Sequence, residues 1–513
     1  MREIVGLFAI LPFITWLLTH KRYKDIAAPY NLFTFLYMIN IMLPILTYIN
    51  IDSTSTIRES YIRKAISSDS IFCEYVVLQT ICYYLVIFGT KLRIGKSSEN
   101  FEEYNTYSEE NVAKVNIRGQ EKYKYIGIVI WAIGFVAFIK IMNQVGGIYY
   151  FFTHLQFRTI LTRDIDFWSW LLPFVDYGVL FIIYSYKGTE KRLNIKIILL
   201  IIISGLMSGL GGRKALLILF IEALLLYHYT IKKIDIKRFF KMRYILGVIA
   251  LYLFFVLMSK FRTEGAAEAF LQNPLAFTKD SSEGIFETIQ SESYVSFFMT
   301  IIDYFKTHAL WLGRSFIGLI TAIIPSSLYP GKPPVDDGTY LYSICQGRTN
   351  IVPPMSFSNL DGSSYPLETF GSMYANFGIV GLFVGMIVLG GIYGYAYRKM
   401  KNSSYSLFSV VIYTQIIFTF QLSTLRIFQL FEMIIVFGVI TFIVNKEISL
   451  GGVLSDKFIN VIQYIIISSN TVLKKKIRIV QYALKVNTNV LIKCRNMEKY
   501  LNYKSFNMGD QLS

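Results

Sequence analysis

Apolar residues along this chain gather into runs separated by short clusters of Lys, Arg, Gly and Asn. The runs cover roughly 4–19, 30–50, 70–90, 123–142, 167–185, 194–210, 214–231, 244–260, 374–396, 405–424 and 427–445. A hydrocarbon core ~30 Å thick needs about 20 helical residues to cross, so each run predicts one crossing. The expected fold class is an all-α polytopic membrane protein of about 11 transmembrane helices. The first run, Ile4 to Leu18, has no small-x-small cleavage site and is expected to stay as a helix.

Orientation follows from the basic residues in the short connections. With the N-terminus outside, the inner connections hold Lys21, Arg22 and Lys24, and then the bases from Lys91 to Lys124. Lys187 to Lys196, Lys232 to Arg243, and Arg398, Lys399 and Lys401 follow. Together with the segment after Asn445 they collect 34 of the 51 Lys and Arg residues. The C-terminus is therefore expected in the cytoplasm. One large extracytoplasmic loop, 261–373, interrupts a bundle that occupies 1–445. The remaining 446–513, with Lys474, Lys475, Lys476 and Arg478, reads as a basic amphipathic tail on the inner leaflet.

Composition sharpens this picture. Hydrophobic residues make up 54% and charged residues 17%, against ~25% charged in soluble domains, which excludes a soluble enzyme or a disordered scaffold. The net charge of +17 is largely spent on orientation, so no nucleic-acid partner is expected; membrane lipid is. Cys73, Cys82, Cys345 and Cys494 form neither a disulfide framework nor a metal motif. His20, His154, His228 and His308 are far apart in the sequence, and Asp164-Ile165-Asp166 stands without a nucleotide-binding segment. No metal and no cofactor is expected.

Candidate chemistry lies where cations fall on the wrong side of the charge pattern. Between Arg192 and Lys232 there are 39 residues, about 58 Å of helix, which two crossings consume. The turn at Gly209, Gly211 and Gly212 must therefore hold Arg213 and Lys214 at the outer boundary. There a helix N-terminus offers unpaired N–H groups and a positive dipole end, a natural site for phosphate. Arg426 turns a second tight hairpin, and Arg158 and Arg163 sit in an outer connection that looks interfacial or re-entrant. These five form the expected pyrophosphate-binding set. The outer loop is acidic, with ten acids and five bases from Thr263 to Tyr365. It supplies Asp336, Asp337 and Asp361 as candidate general bases; Glu368 joins them from the opening turn of span nine. Glu368 or Asp361 is the expected catalytic residue.

Three stretches together resemble the Wzy-type oligosaccharide repeat-unit polymerases, the O-antigen and capsular polysaccharide polymerases. They are Ser208-Gly209-Leu210-Gly211-Gly212-Arg213, Ile324-Pro325-Ser326-Ser327-Leu328-Tyr329-Pro330-Gly331-Lys332-Pro333, and Gly371-Ser372-Met373-Tyr374-Ala375-Asn376-Phe377-Gly378-Ile379-Val380-Gly381. The layout of many helices around one dominant external loop fits as well. In such families an acidic residue often precedes the Tyr-x-Asn-Phe-Gly stretch closely; here Ser372 stands nearest and Glu368 one turn earlier. The resemblance implies a membrane glycosyltransferase at the outer face of the bacterial cytoplasmic membrane. It would move a growing glycan from polyprenyl pyrophosphate to a lipid-linked acceptor unit, with Lys332 and Arg348 of the loop as contacts to glycan or phosphate and a chain-length regulator protein as a further partner. The competing expectations are a lipid-linked oligosaccharide flippase and an O-antigen ligase.

Overall fold

A computed structural model describes residues 2–20, 25–49, 60–92, 117–162, 166–189, 194–234, 270, 272, 294–324 and 328–449. The expected span 244–260, Arg163 and the tail from 450 onward lie outside these residues. By internal contacts the chain divides into Met1–Val444 and Asn445–Ser513.

The described residues are helical and contain no strand. In chain order the helices are α1 (Arg2–Thr19), α2 (Pro29–Thr47), α3 (Ser60–Ser67), α4 (Asp69–Lys91), α5 (Ile117–Gln144), α6 (Ile148–Thr153), α7 (Arg158–Leu161) and α8 (Phe167–Tyr184). There follow α9 (Ile195–Gly209), α10 (Arg213–Thr230), α11 (Val295–Phe305), α12 (Ile317–Thr321), α13 (Gly338–Cys345), α14 (Glu368–Asn402), α15 (Leu407–Phe418) and α16 (Thr424–Ser449). Seven of them, α1, α2, α4, α5, α8, α14 and α16, are long and apolar enough to cross a membrane. This is an α-helical membrane protein.

Bundle packing is closest where side chains vanish. Helix α14 packs on α4, and a methyl group added at Gly390 would fall 2.1 Å from the Val86 carbonyl oxygen. Gly89 opposite leaves equally little room, 2.2 Å from the Ile387 carbonyl. The two backbones touch as small residues let membrane helices do. Gly390→Ala is expected to push α14 off α4 and cost ~1–3 kcal/mol, the usual penalty of overpacking. Thermal unfolding of the purified chain measures it; an unchanged midpoint would show that this contact carries no stability.

Four expected spans differ from what is observed: 194–210 and 214–231 form α9, fifteen residues, and α10, neither of which is among the seven helices long and apolar enough to cross. The run 405–424 yields only α15, twelve residues or about 18 Å. Its helix stops at Thr419, and the chain stays irregular until Thr424 opens α16. The polar residues Thr419, Gln421 and Ser423, hidden in an otherwise apolar run, take up the freed groups. The Thr419 hydroxyl donates to the Gln415 carbonyl oxygen at 2.7 Å, and the Gln421 side-chain oxygen accepts from the Thr369 hydroxyl at 2.6 Å.

The run 374–396 belongs to a longer helix, α14, broken at Gly378 (φ 65°, ψ −156°), a conformation open to glycine. A methyl group at Gly385 would fall 2.4 Å from Met373 Cγ, so the limb before Gly378 folds back against the limb after it. Gly381 and Gly385 make room for α14's own first limb.

The large loop carries structure of its own in α11, α12 and α13. It is tied to the fold-back by Trp311 N–H to the Ala375 carbonyl and Leu312 N–H to the Asn376 carbonyl, both 2.9 Å. The Asn376 side chain, fully buried, donates to Ser315 Oγ at 2.8 Å and to the Ser372 carbonyl at 2.8 Å. The Tyr-Ala-Asn-Phe-Gly stretch is therefore the hinge on which loop and bundle meet.

At the other end of α14, Arg398 caps α4 through the Thr90 and Leu92 carbonyls at 3.2 and 3.0 Å. Nearby Asp25 accepts from the Tyr229 and Tyr397 hydroxyls at 3.0 and 2.5 Å and lies 3.7 Å from His228. Burial pushes its carboxyl up, but the hydrogen bonds from His228, Tyr397 and Tyr229 and the His228 charge outweigh it and hold the group at about 2.

Candidate functional site

The fold-back and the broken span bring three helix N-termini together: α10 at Arg213, α14 at Glu368 and α16 at Thr424. The α9–α10 hairpin turns through Leu210 (φ 43°) and Gly211 (φ 73°). An added methyl at Gly212 would come 2.9 Å from Arg158 Nη1. The bare glycine thus lets the Arg158 guanidinium lie against the hairpin beside Arg213, whose charge it feels. Burial first, and Arg213 second, push the Arg158 pKa below its ordinary value.

Lys214, in the first turn of α10, is exposed and interacts electrostatically with both Arg426 and Glu368. Arg426, in the first turn of α16, donates to Glu368 Oε1 at 3.3 Å and to Gln429 Oε1 at 3.1 Å. Glu368 itself opens α14 with φ 49°, a left-handed conformation that costs a non-glycine residue energy. Its neighbour Thr369 is fully buried and accepts the Leu422 N–H at 2.8 Å, which pins the start of α14 to the broken span.

Four of the five cations expected to bind pyrophosphate are thereby gathered near one another, in the pairs Arg158–Arg213 and Lys214–Arg426. Glu368 joins the second pair. The cations sit at positive helix ends, where the dipole disfavours them.

The other candidates form separate groups on the loop. Arg348 Nη2 lies 2.8 Å from Asp361 Oδ1, and Arg348 Nη1 donates to the Asn359 carbonyl at 2.7 Å. The Asp361 backbone N–H is held by Ser343 Oγ at 3.1 Å. Lys332 is half-buried and donates to the Ile324 carbonyl at 2.8 Å. Asp336 closes a local turn by accepting the Gly338 N–H at 3.0 Å.

Asp337 has a long-range role. It is 1% exposed and caps α16 across the structure: its Oδ2 accepts the Thr424 N–H at 3.3 Å and the Ser372 hydroxyl at 3.1 Å. Its own N–H donates to Thr424 Oγ1 at 3.2 Å. One carboxylate therefore fixes the start of α16, and so the position of Arg426, relative to α14. Burial, aided by the Asp336 charge and opposed by the Thr424 and Ser372 hydrogen bonds, pushes its carboxyl up to about 7.

The pH dependence follows from that rise. An unfolded Asp titrates near 3.9, so the folded chain binds this proton more tightly and the contribution to stability is largest below pH ~4. It declines as pH rises toward about 7 and is constant above. Asp337→Asn keeps an acceptor and loses the titration. The variant is expected to gain thermal stability relative to the parent chain between pH 4.5 and 7.5; a constant difference across that range would show Asp337 does not titrate there.

Reading only Lys and Arg in the apolar runs misses two buried acids. Glu222 in α10 accepts from Gln415 Nε2 at 2.8 Å, and Asp176 Oδ1 in α8 is buried without a hydrogen-bond partner. An acid inside an apolar run is costly enough to be a signal in its own right.

Comparison with protein-family models, with curated proteins and with solved structures gives no match.

Proposed function

We propose that this chain is a membrane glycosyltransferase that polymerises polyprenyl-pyrophosphate-linked oligosaccharide units at the outer face of the bacterial cytoplasmic membrane. The observation that carries the reading is the placement of Arg158, Arg213, Lys214 and Arg426 at converging helix N-termini, with Glu368 among them. Cations at positive helix ends repel both the dipoles and one another. A diphosphate relieves both costs, taking N–H donors and charge at once. The family resemblance of the hairpin and of the Tyr-Ala-Asn-Phe-Gly stretch points the same way.

In the reaction, an acceptor sugar hydroxyl attacks the anomeric carbon of the donor glycan. A new C–O glycosidic bond forms as the bond from that carbon to the pyrophosphate oxygen breaks. Lys214 and Arg426 stabilise the charge that grows on the departing diphosphate, and Arg158 and Arg213 hold its distal phosphate. Glu368, oriented by the Arg426 hydrogen bond at 3.3 Å, takes the acceptor proton. The leaving group is already activated, so the step draws on no nucleotide sugar.

Deleting the chain from its cell and analysing the surface glycan tests the reading. Single-unit chains are expected. Long unattached chains would instead indicate ligation, and lipid-linked units trapped inside would indicate transport.

A further inference from the structure

The outer loop holds an apolar face that its own fold does not bury. Around α12, Leu312 is 68% exposed, Ile320 72%, Ile323 84% and Leu328 78%, with Ile317 and Ile324 also exposed. From 312 to 328 the sequence carries one charge, Arg314. A water-facing loop seldom shows so many large aliphatic side chains in one stretch.

The position of this face says what covers it. The stretch begins where Trp311 and Leu312 bond to the Ala375 and Asn376 backbone, at the fold-back of α14. On the limb after Gly378, Val380, Val384 and Val388 form an exposed strip at helical spacing, the side a membrane helix turns to lipid. The two surfaces are continuous. Gly313 lies against Phe377, and Phe316 lines one apolar groove together with Phe377, Val380, Val384 and Val388. Polar ends bracket the apolar stretch: Arg314 is exposed near its start, and beyond its end the half-buried Lys332 reaches back to the Ile324 carbonyl. That is the pattern of a segment whose aliphatic residues enter a leaflet while its cations remain among the headgroups.

We propose that residues 312–324 and Leu328 are inserted in the bilayer as a lipid-facing collar continuous with α14, its occupant being the acyl region of the leaflet nearest Gly378. The collar anchors the outer loop beside the fold-back, and so holds the Asp337–Thr424–Ser372 tie in register with the start of α16. The inference stands independently of the glycosyl-transfer reading.

The test uses the full chain reconstituted in phospholipid bilayers, with the four native cysteines replaced by alanine. A polarity-sensitive thiol fluorophore is placed at Ile320→Cys, at Val384→Cys as the lipid-facing reference and at Ser358→Cys as the exposed loop reference. Phospholipids brominated on their acyl chains quench from within the leaflet, and iodide quenches from water. Acyl-chain quenching at 320 close to that at 384, with protection from iodide, is the expected result. Iodide quenching at 320 like that at 358 would overturn the proposal. So would protection from both quenchers, which would mean that protein covers this face. A second variant, Ile323→Cys, repeats the measurement, so that failure of one protein to fold does not decide it.

Discussion

Glu368→Gln is expected to stop glycosyl transfer while leaving the lipid-linked donor bound. Glutamine keeps the size of the side chain and an oxygen for Arg426 to donate to, so the start of α14 and its contact with α16 persist. What disappears is the capacity to accept a proton. General-base removal typically costs ~10²–10⁴-fold in rate, and the loss should fall on kcat with KM nearly unchanged. The readout is turnover of a synthetic lipid-pyrophosphate donor and acceptor by the purified variant, beside its thermal midpoint. A stable variant that retains turnover within a few-fold of the parent would remove Glu368 from the chemistry.

Arg426→Ala is expected to be nearly as damaging for a different reason. On the proposed mechanism the residue is a ligand for the leaving diphosphate, and it also holds Glu368 in place by an ion pair at 3.3 Å. Removing one preorganised donor to a developing anion costs ~10²–10³-fold. Arg426→Lys restores the charge without the fork that can serve carboxylate and phosphate together, so partial recovery is expected. The double variant Lys214→Ala, Arg426→Ala should lose no more than either single variant if the two act as one unit on the same phosphate. Losses that multiply would place them on independent steps.

How the site was legible in the sequence, and where it was not, has a physical explanation. Run length and basic connections depend on local composition, so α4, α5, α8, α9 and α10 fall close to the expected boundaries. The Arg213–Lys214 hairpin follows from counting residues between Arg192 and Lys232, because α9 and α10 take up nearly all of them. The meeting of Glu368 with Arg426 does not follow from any local pattern. It requires the left-handed turn at Gly378, the halt of α15 at Thr419 and the bond from Thr369 to Gln421, 52 residues away. Asp337 is similar: in sequence it is one of several loop acids read as a candidate general base, yet its partner Thr424 lies 87 residues on. Arg348 and Asp361 also read as separate contacts to substrate, and the loop's own folding makes them an ion pair. Each case is a polar group satisfied at long range, which apolar periodicity does not register.

The arrangement also shows how a membrane bundle can hold a demanding site. Three positive helix ends, four cations and a strained Glu368 are unfavourable alone, and the surrounding structure supplies the constraint. Asp337 caps α16, Thr369 and Gln421 clamp the broken span, and Asn376 fixes the fold-back. Local conflict held in place by satisfied long-range contacts is what a binding site for an anion would look like before the anion arrives.

Binding of a short prenyl diphosphate to the purified chain tests the central claim most directly, without requiring the full glycan substrate. Calorimetric titration with farnesyl diphosphate should show saturable binding to the parent chain. In Lys214→Ala, Arg426→Ala the affinity should fall ~10- to 100-fold, as expected for lost charge-assisted hydrogen bonds. Equal affinity in the folded double variant, or no binding to the parent chain, would contradict the assignment of these cations to a diphosphate.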